Sequence, residues 1–132
     1  MKFFLFLLSM MIGGLTSFAP APANADVAWL VSPLELTTTP DSKNFIKVTV
    51  YKTYGELADL KVKLTCRDSS NFTFSKSDSI KNNKEIAYTY SVVGKKVGTD
   101  TLGVEIFGSY NYNGIRTFNQ SKTVKITVKD PN

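Results

Sequence analysis

The feature that most constrains the fold is an alternation of apolar and polar residues that recurs along the chain and is interrupted each time by turn-forming residues. In residues 44–52, Ile46, Val48 and Val50 alternate with polar neighbours, and residues 60–66 show the same pattern. A period of two is typical of β-strands with one buried face. Helical spacing of apolar residues is absent after the N-terminal region. The chain is therefore predicted to be all-β.

Seven such runs are separated by turns, with no candidate crossover helix between them. This pattern predicts a seven-stranded antiparallel immunoglobulin-like β-sandwich with even-numbered apolar side chains in its core. Pro33 indicates an edge position or a break in the first run. An antibody-type Cys-Trp-Cys core is excluded, since Trp29 lies in the first run and the chain has one cysteine. The predicted strands lie around residues 27–36, 44–52, 60–66, 71–74, 85–93, 101–107 and 123–129.

The N-terminus has the features of a secretory signal peptide. Lys2 precedes an apolar run of about thirteen residues, and Ala23-Asn24-Ala25 is a small-x-small cleavage signature. The apolar run is shorter than the roughly 20 residues that cross a bilayer, which disfavours the alternative of an uncleaved anchor. We expect a signal peptide at 1–25, an immunoglobulin-like domain at 26–132, a secreted or periplasmic location, and no stable membrane insertion after cleavage.

Composition excludes several chemistries. The chain has no histidine, so Ser-His-Asp and Cys-His catalysis and histidine-bound zinc are excluded. The lysine pair at 95–96, between Gly94 and Gly98, precedes a strand rather than a helix, so it indicates a turn and not a phosphate-binding loop. The net charge of +5 comes from scattered lysines, which argues against nucleic acid as a partner. No enzyme activity, cofactor or metal is expected.

Cys66 cannot form an internal disulfide, because it is the only cysteine. Its parity with Leu64 predicts a small buried hydrophobe, with a reactive thiol or an intermolecular bridge as the alternatives. Asn71 and Asn119 each begin an Asn-x-Ser/Thr sequon, and whether either is glycosylated is left open.

Asn113-Gly114 is the strongest hairpin signal and predicts a two-residue type I′ turn. Such a turn would pair residues whose numbers sum to 227, since it joins residues 112 and 115. In that register Val104 and Val124 would point to opposite faces of the sheet, although both are expected in the core. A β-bulge is therefore predicted in this hairpin, at 108–109 or 119–120, or else a loop of odd length.

The hairpin tip is also the predicted binding surface. Its candidate residues are Tyr110, Tyr112, Arg116 and Phe118, which are expected to lie beyond the core. Tyrosine and arginine are enriched in recognition sites. The alternative is that these aromatic residues cover the end of the sandwich or pair across strands. Tyr51 and Tyr54, near the turn at Gly55, are a second group of aromatics.

Residues 34–40, 45–66, 97–108 and 123–128 together resemble the bacterial immunoglobulin-like domains of the invasin and intimin type. The shared elements are a strand ending in Thr-Pro, a Gly-containing turn, a Gly-Thr-x-Thr strand entry and a closing TVKITV. The resemblance implies a binding module that contacts an envelope or cell-surface protein non-covalently. The alternatives are a carbohydrate-binding module whose tyrosines stack on a glycan, and a structural subunit of a surface assembly.

Overall fold

The computed structural model describes residues 27–68 and 70–132, and the predicted signal peptide lies outside them. The described residues form eight strands and no helix. The strands are β1 (Trp29–Ser32), β2 (Glu35–Thr38), β3 (Lys43–Tyr51), β4 (Leu57–Cys66), β5 (Phe72–Lys81), β6 (Glu85–Gly94), β7 (Gly98–Asn111) and β8 (Ile115–Val128).

The strands form two four-stranded sheets that pack as a β-sandwich. Sheet I has the order β1-β3-β6-β5 and sheet II has the order β2-β8-β7-β4. Every pair of neighbours is antiparallel except β2 and β8, which are parallel. In the described chain β4 and β5 are edge strands, and they lie on the same side of the sandwich, since residues of both line one groove.

The predicted count of seven strands is wrong, because the first predicted run is two strands. The chain leaves sheet I at Ser32-Pro33 and enters sheet II, where Glu35 lies opposite Lys125. Proline has no N–H to donate to a ladder, so the predicted break at Pro33 is confirmed. The short strand predicted at 71–74 extends to Lys81 in the structure.

From β3 onward the fully buried core side chains are even-numbered as predicted. In β1 the prediction is wrong, because the register with β3 places the odd-numbered Val31 opposite Val48 and turns it inward, whereas Leu34 is 50% exposed. Val48, Val104 and Ile126 are fully buried, and Leu64 and Tyr90 pack against the same cluster while half-buried. Fully burying one such aliphatic side chain contributes roughly 1.5–3 kcal/mol. The fully buried side chains of largest volume are Phe118, Ile46, Leu102, Ile106, Ile126, Val31, Val48, Val50, Val92, Val104, Val124 and Val128.

The β7–β8 hairpin has a loop of three residues, 112–114. Asn111 pairs with Ile115, and the ladder continues without interruption to Gly98 and Val128. Asn113 and Gly114 have positive φ angles of 55° and 115°, as a type I′ turn would require. The predicted two-residue register and its bulge are wrong, and the alternative of an odd-length loop is what the structure has. Paired residue numbers are then both even or both odd, so the inward residues of both strands stay in phase.

Cys66 is half-buried against the core rather than fully buried. Its thiol donates a hydrogen bond to the Asp68 carbonyl at 3.2 Å. Burial, followed by the negative charges of Asp100 and Asp68, raises the pKa of the Cys66 thiol, which lowers the thiolate fraction at neutral pH.

No helix in the described part of the chain is long and apolar enough to span a membrane.

Candidate functional site

Four aromatic rings stack from the core to the surface at one end of the sandwich, and we call them the aromatic stack: Phe118, Tyr110, Tyr54 and Tyr112. The ring centroids of Phe118 and Tyr110 are 6.3 Å apart, and those of Tyr110 and Tyr54 are 5.0 Å apart with the planes 17° from parallel. The rings of Tyr54 and Tyr112 are 5.2 Å apart and tilted by 49°. Pairs with this spacing contribute about 0.5–1.5 kcal/mol beyond their buried area.

The expectation that all four predicted residues lie beyond the core is wrong for two of them. Tyr110 is 3% exposed and Phe118 is 1% exposed, so neither presents a free surface. Both are even-numbered, and the register of the hairpin keeps even positions inward up to the tip. Both residues share the even numbering of the core residues Leu102 and Val124, and this pattern could have placed them in the core.

Gly108 makes room for the Phe118 ring, which lies opposite it in the ladder. A Cβ atom on Gly108 would lie 2.9 Å from the Cζ atom of Phe118 and 3.0 Å from the carbonyl oxygen of Ala58. Real Cβ atoms rarely approach neighbours this closely. The absence of a side chain at Gly108 therefore leaves space for the Phe118 ring to pack against Tyr110.

The other two predicted residues lie at the surface, and the loop holds them. Tyr112 is 52% exposed, and the Nε of the partly exposed Arg116 donates a hydrogen bond to its carbonyl at 2.6 Å. The Asn111 side-chain oxygen accepts a hydrogen bond from the N–H of Gly114 at 3.2 Å. These bonds fix the loop conformation, so Tyr112 projects from a defined turn.

Tyr54 reaches the stack from the β3–β4 turn, which sequence reasoning had kept separate from the hairpin tip. Leu57 at the start of β4 pairs with Tyr110, so the turn lies beside that residue. Gly55 has a positive φ of 101°, and the Lys52 ammonium contacts the Glu56 carboxylate at 2.8 Å across the turn. No local sequence signal could have joined Tyr54 to Tyr110, because their contact depends on the pairing of β4 with β7.

The exposed apolar side chains at this end are the contacting pair Tyr54 and Tyr112, together with Ile115, which lines a groove with Tyr110; we call these three the tyrosine patch. Ile115 is 81% exposed, more than any other large hydrophobic side chain in the described residues. A groove of about 310 Å³ lies beside it, lined in part by Leu57 and Tyr110. An exposed apolar patch held on a packed support is suited to contact with another molecule.

A polar cluster lies at the other end of β7. The Asn71 side-chain amide donates a hydrogen bond to Asp100 at 3.1 Å. This bond, together with one from the Thr101 N–H and the charge of Arg67, holds the pKa of the Asp100 carboxyl below its ordinary value. The amide of the Asn71 sequon is thus engaged within the domain, whereas Asn119 of the second sequon is exposed on β8.

No protein-family model and no curated protein matches the chain. Among solved structures, it is similar to domains 4 and 5 of the S-layer protein SbsC, with a TM-score of 0.52, 22% identity and coverage of 80% of this chain. It spans 45% of that S-layer chain. It is also similar to the BIgI domain of the beta protein from S. agalactiae, which was solved bound to CEACAM1. That match has a TM-score of 0.51 and 17% identity, and covers 81% of this chain and 100% of the other.

These likenesses establish the fold. The chain has an immunoglobulin-like β-sandwich fold, as its sequence resemblance implied.

Proposed function

We propose that this chain is an exported immunoglobulin-like module that binds another envelope or cell-surface protein non-covalently through the tyrosine patch. The features of a signal peptide in residues 1–25 support export to the periplasm or the cell exterior. One structural neighbour is part of an S-layer protein, and another is a domain bound to a second protein, CEACAM1. Both are consistent with a role at the cell surface.

The main observation behind the proposal is that buried aromatic rings pack against the exposed tyrosines. Tyr54 stacks on the buried Tyr110, which in turn stacks on Phe118. Ordering a mobile side chain at an interface costs about 0.5–1.5 kcal/mol. Because Tyr54 and Tyr112 are already packed in the free domain, most of that cost is absent when a partner binds.

Carbohydrate binding is the second candidate, and the ring geometry favours it less. A sugar stacks on the open face of an aromatic ring. Tyr54 is covered by Tyr110 on one side and contacted by Tyr112 on another, and the exposed pair is tilted by 49° rather than coplanar. The patch therefore offers ring edges and the Ile115 side chain, which suit an apolar protein surface better than a flat sugar.

Binding of the mature domain to cells and envelope fractions of its own organism tests the proposal. The test variant is Tyr54→Ala with Tyr112→Ala. The matched control is Leu30→Ala with Phe45→Ala, which removes two side chains of 48% and 52% exposure from sheet I. Since interface tyrosines often contribute more than 1 kcal/mol each, we expect the test variant to bind at least about tenfold more weakly.

The control variant should bind as the wild type does, and urea unfolding should show that both variants are folded. Equal loss in the two variants would contradict a role for the tyrosine patch. A glycan array tests the carbohydrate-binding alternative. Sugar binding that is lost when Tyr54 and Tyr112 are replaced would show that the ligand is a glycan and not a protein.

A further inference from the structure

The side of the sandwich between β4 and β5 is open. The inward side chains of β4, namely Leu60, Val62 and Leu64, are only half-buried, whereas those of β7 in the same sheet are fully buried. A groove of about 430 Å³ runs between the sheets here, and its walls include Leu60, Val62 and Tyr90. Apolar side chains of β4 therefore lack a complete cover.

The cover is incomplete because β5 becomes polar along its length. Phe72 and Phe74 close the core at one end of β5. Beyond them Lys76 takes the inward position opposite Tyr90, and a register shift between Lys76 and Asp78 follows. The Lys76 ammonium lies 4.8 Å from the centroid of the Tyr88 ring. A basic side chain thus stands where an apolar one would complete the core.

The groove is positively charged. Lys61, Lys63 and Lys76 line it, none of its lining residues is acidic, and none of the three forms a salt bridge within the described residues. Glu105 lies opposite Lys63 in the β4–β7 ladder, but the two side chains are not in ion-pair contact. Three ammonium groups without a carboxylate partner, beside an apolar wall, attract anionic partners.

We propose that this groove, with the open edge of β4, binds an extended acidic segment of a partner protein. The segment pairs with β4 along residues 61–66, where the ladder to β7 is regular. Its side chains alternate between the two faces of the added strand. Apolar ones complete the cover over Leu60 and Val62, and the carboxylates on the opposite face contact Lys61 and Lys63.

The same lysines disfavour a second copy of this chain as the occupant. Pairing of β4 with another β4 would place Lys61 and Lys63 opposite like charges, which is unfavourable. An acidic strand converts the same residues into attractive contacts. An anionic polysaccharide would satisfy the lysines, but it would leave the apolar wall and the backbone edge of β4 without partners.

The test uses a fluorescent, capped peptide in which valine and glutamate alternate. Its binding to the mature domain is measured by fluorescence anisotropy, and amide hydrogen exchange is recorded by NMR. The variants are Lys61→Glu with Lys63→Glu, and the milder Lys61→Gln with Lys63→Gln. The matched control, Lys43→Glu with Lys47→Glu, makes the same charge change at exposed positions of β3 on the other sheet.

We expect the peptide to bind and to slow amide exchange in β4. The Lys61→Glu, Lys63→Glu variant should bind at least about tenfold more weakly, and the control should lose less than about threefold. Absence of peptide binding, equal loss in the control, or binding without protection of β4 would each overturn the proposal. So would polygalacturonate that binds as tightly as the peptide and protects no amide in β4, because that result would assign the groove to a polysaccharide.

Discussion

Replacement of Gly108 by alanine should destabilise the domain far more than the same change at Gly103, although both glycines lie in β7. A Cβ atom on Gly108 would meet three atoms within 3.1 Å: Cζ of Phe118, the carbonyl oxygen of Ala58 and Cα of Leu60. Two of these belong to the backbone of β4, and the third is the tip of a fully buried ring. None of them can move without displacing a strand or the aromatic stack.

At Gly103 the added atom would meet one close neighbour, the Thr65 hydroxyl oxygen, at 2.9 Å. Thr65 is exposed, so its side chain can rotate away. Neither glycine has a positive φ, so alanine is compatible with the backbone at both sites.

Overpacking of a filled core costs typically about 1–3 kcal/mol, and we expect Gly108→Ala to fall in that range. Gly103→Ala should change the free energy of unfolding by less than about 0.5 kcal/mol. In a domain of this size each kcal/mol lowers Tm by roughly 4–8 °C. Urea and thermal unfolding of the mature domain measure both effects. Equal costs for the two variants would show that β4 does not cross Gly108 as closely as the structure has it.

Three further substitutions test other contacts. Phe118→Ala should cost about 3–5 kcal/mol in urea unfolding, because it empties the core position beneath Tyr110; a cost below about 1 kcal/mol would place the ring outside the core. Lys122→Met should cost about 1–2 kcal/mol, since the ammonium donates a hydrogen bond to the Trp29 carbonyl at 3.0 Å and lies 4.8 Å from the Trp29 ring centroid; Lys125→Met, at an exposed site, is its control. In the wild type, the lowered folded-state pKa of Asp100 contributes stability that is present at neutral pH and is lost as the pH falls below about 4. Asp100→Asn should remove this contribution. Urea midpoints of wild type and variant should therefore converge at low pH, and a constant difference would contradict the Asn71 hydrogen bond as its cause.

The core could be predicted from the sequence because side-chain alternation is a local property of a strand. Val48, Val104 and Ile126 were expected inside and are fully buried. The extent of β5 could not be predicted in the same way. Beyond Phe74 it is an exposed edge strand, and its exposed polar side chains carry no alternation of burial to be detected.

Two features depend on pairing between strands that are far apart in the sequence. These are the sheet that β2 joins and the set of residues in the aromatic stack. Pro33 signals a break, but only the parallel pairing of β2 with β8 determines which sheet the chain joins. Likewise, Tyr54 joins Tyr110 through the β4–β7 ladder. The hairpin loop is one residue longer than the predicted turn, and that single residue lets Tyr110 and Phe118 both point inward instead of to opposite faces.

The most direct test of the binding surface is site-specific photo-crosslinking in the native organism. A photoreactive phenylalanine analogue replaces Tyr112 in one variant and the exposed Phe45 of sheet I in another. If the tyrosine patch contacts the partner, we expect a discrete crosslinked protein adduct from position 112 and none from position 45. An adduct from position 45 alone, or the same adduct from both positions, would contradict the assignment of the tyrosine patch as the contact surface.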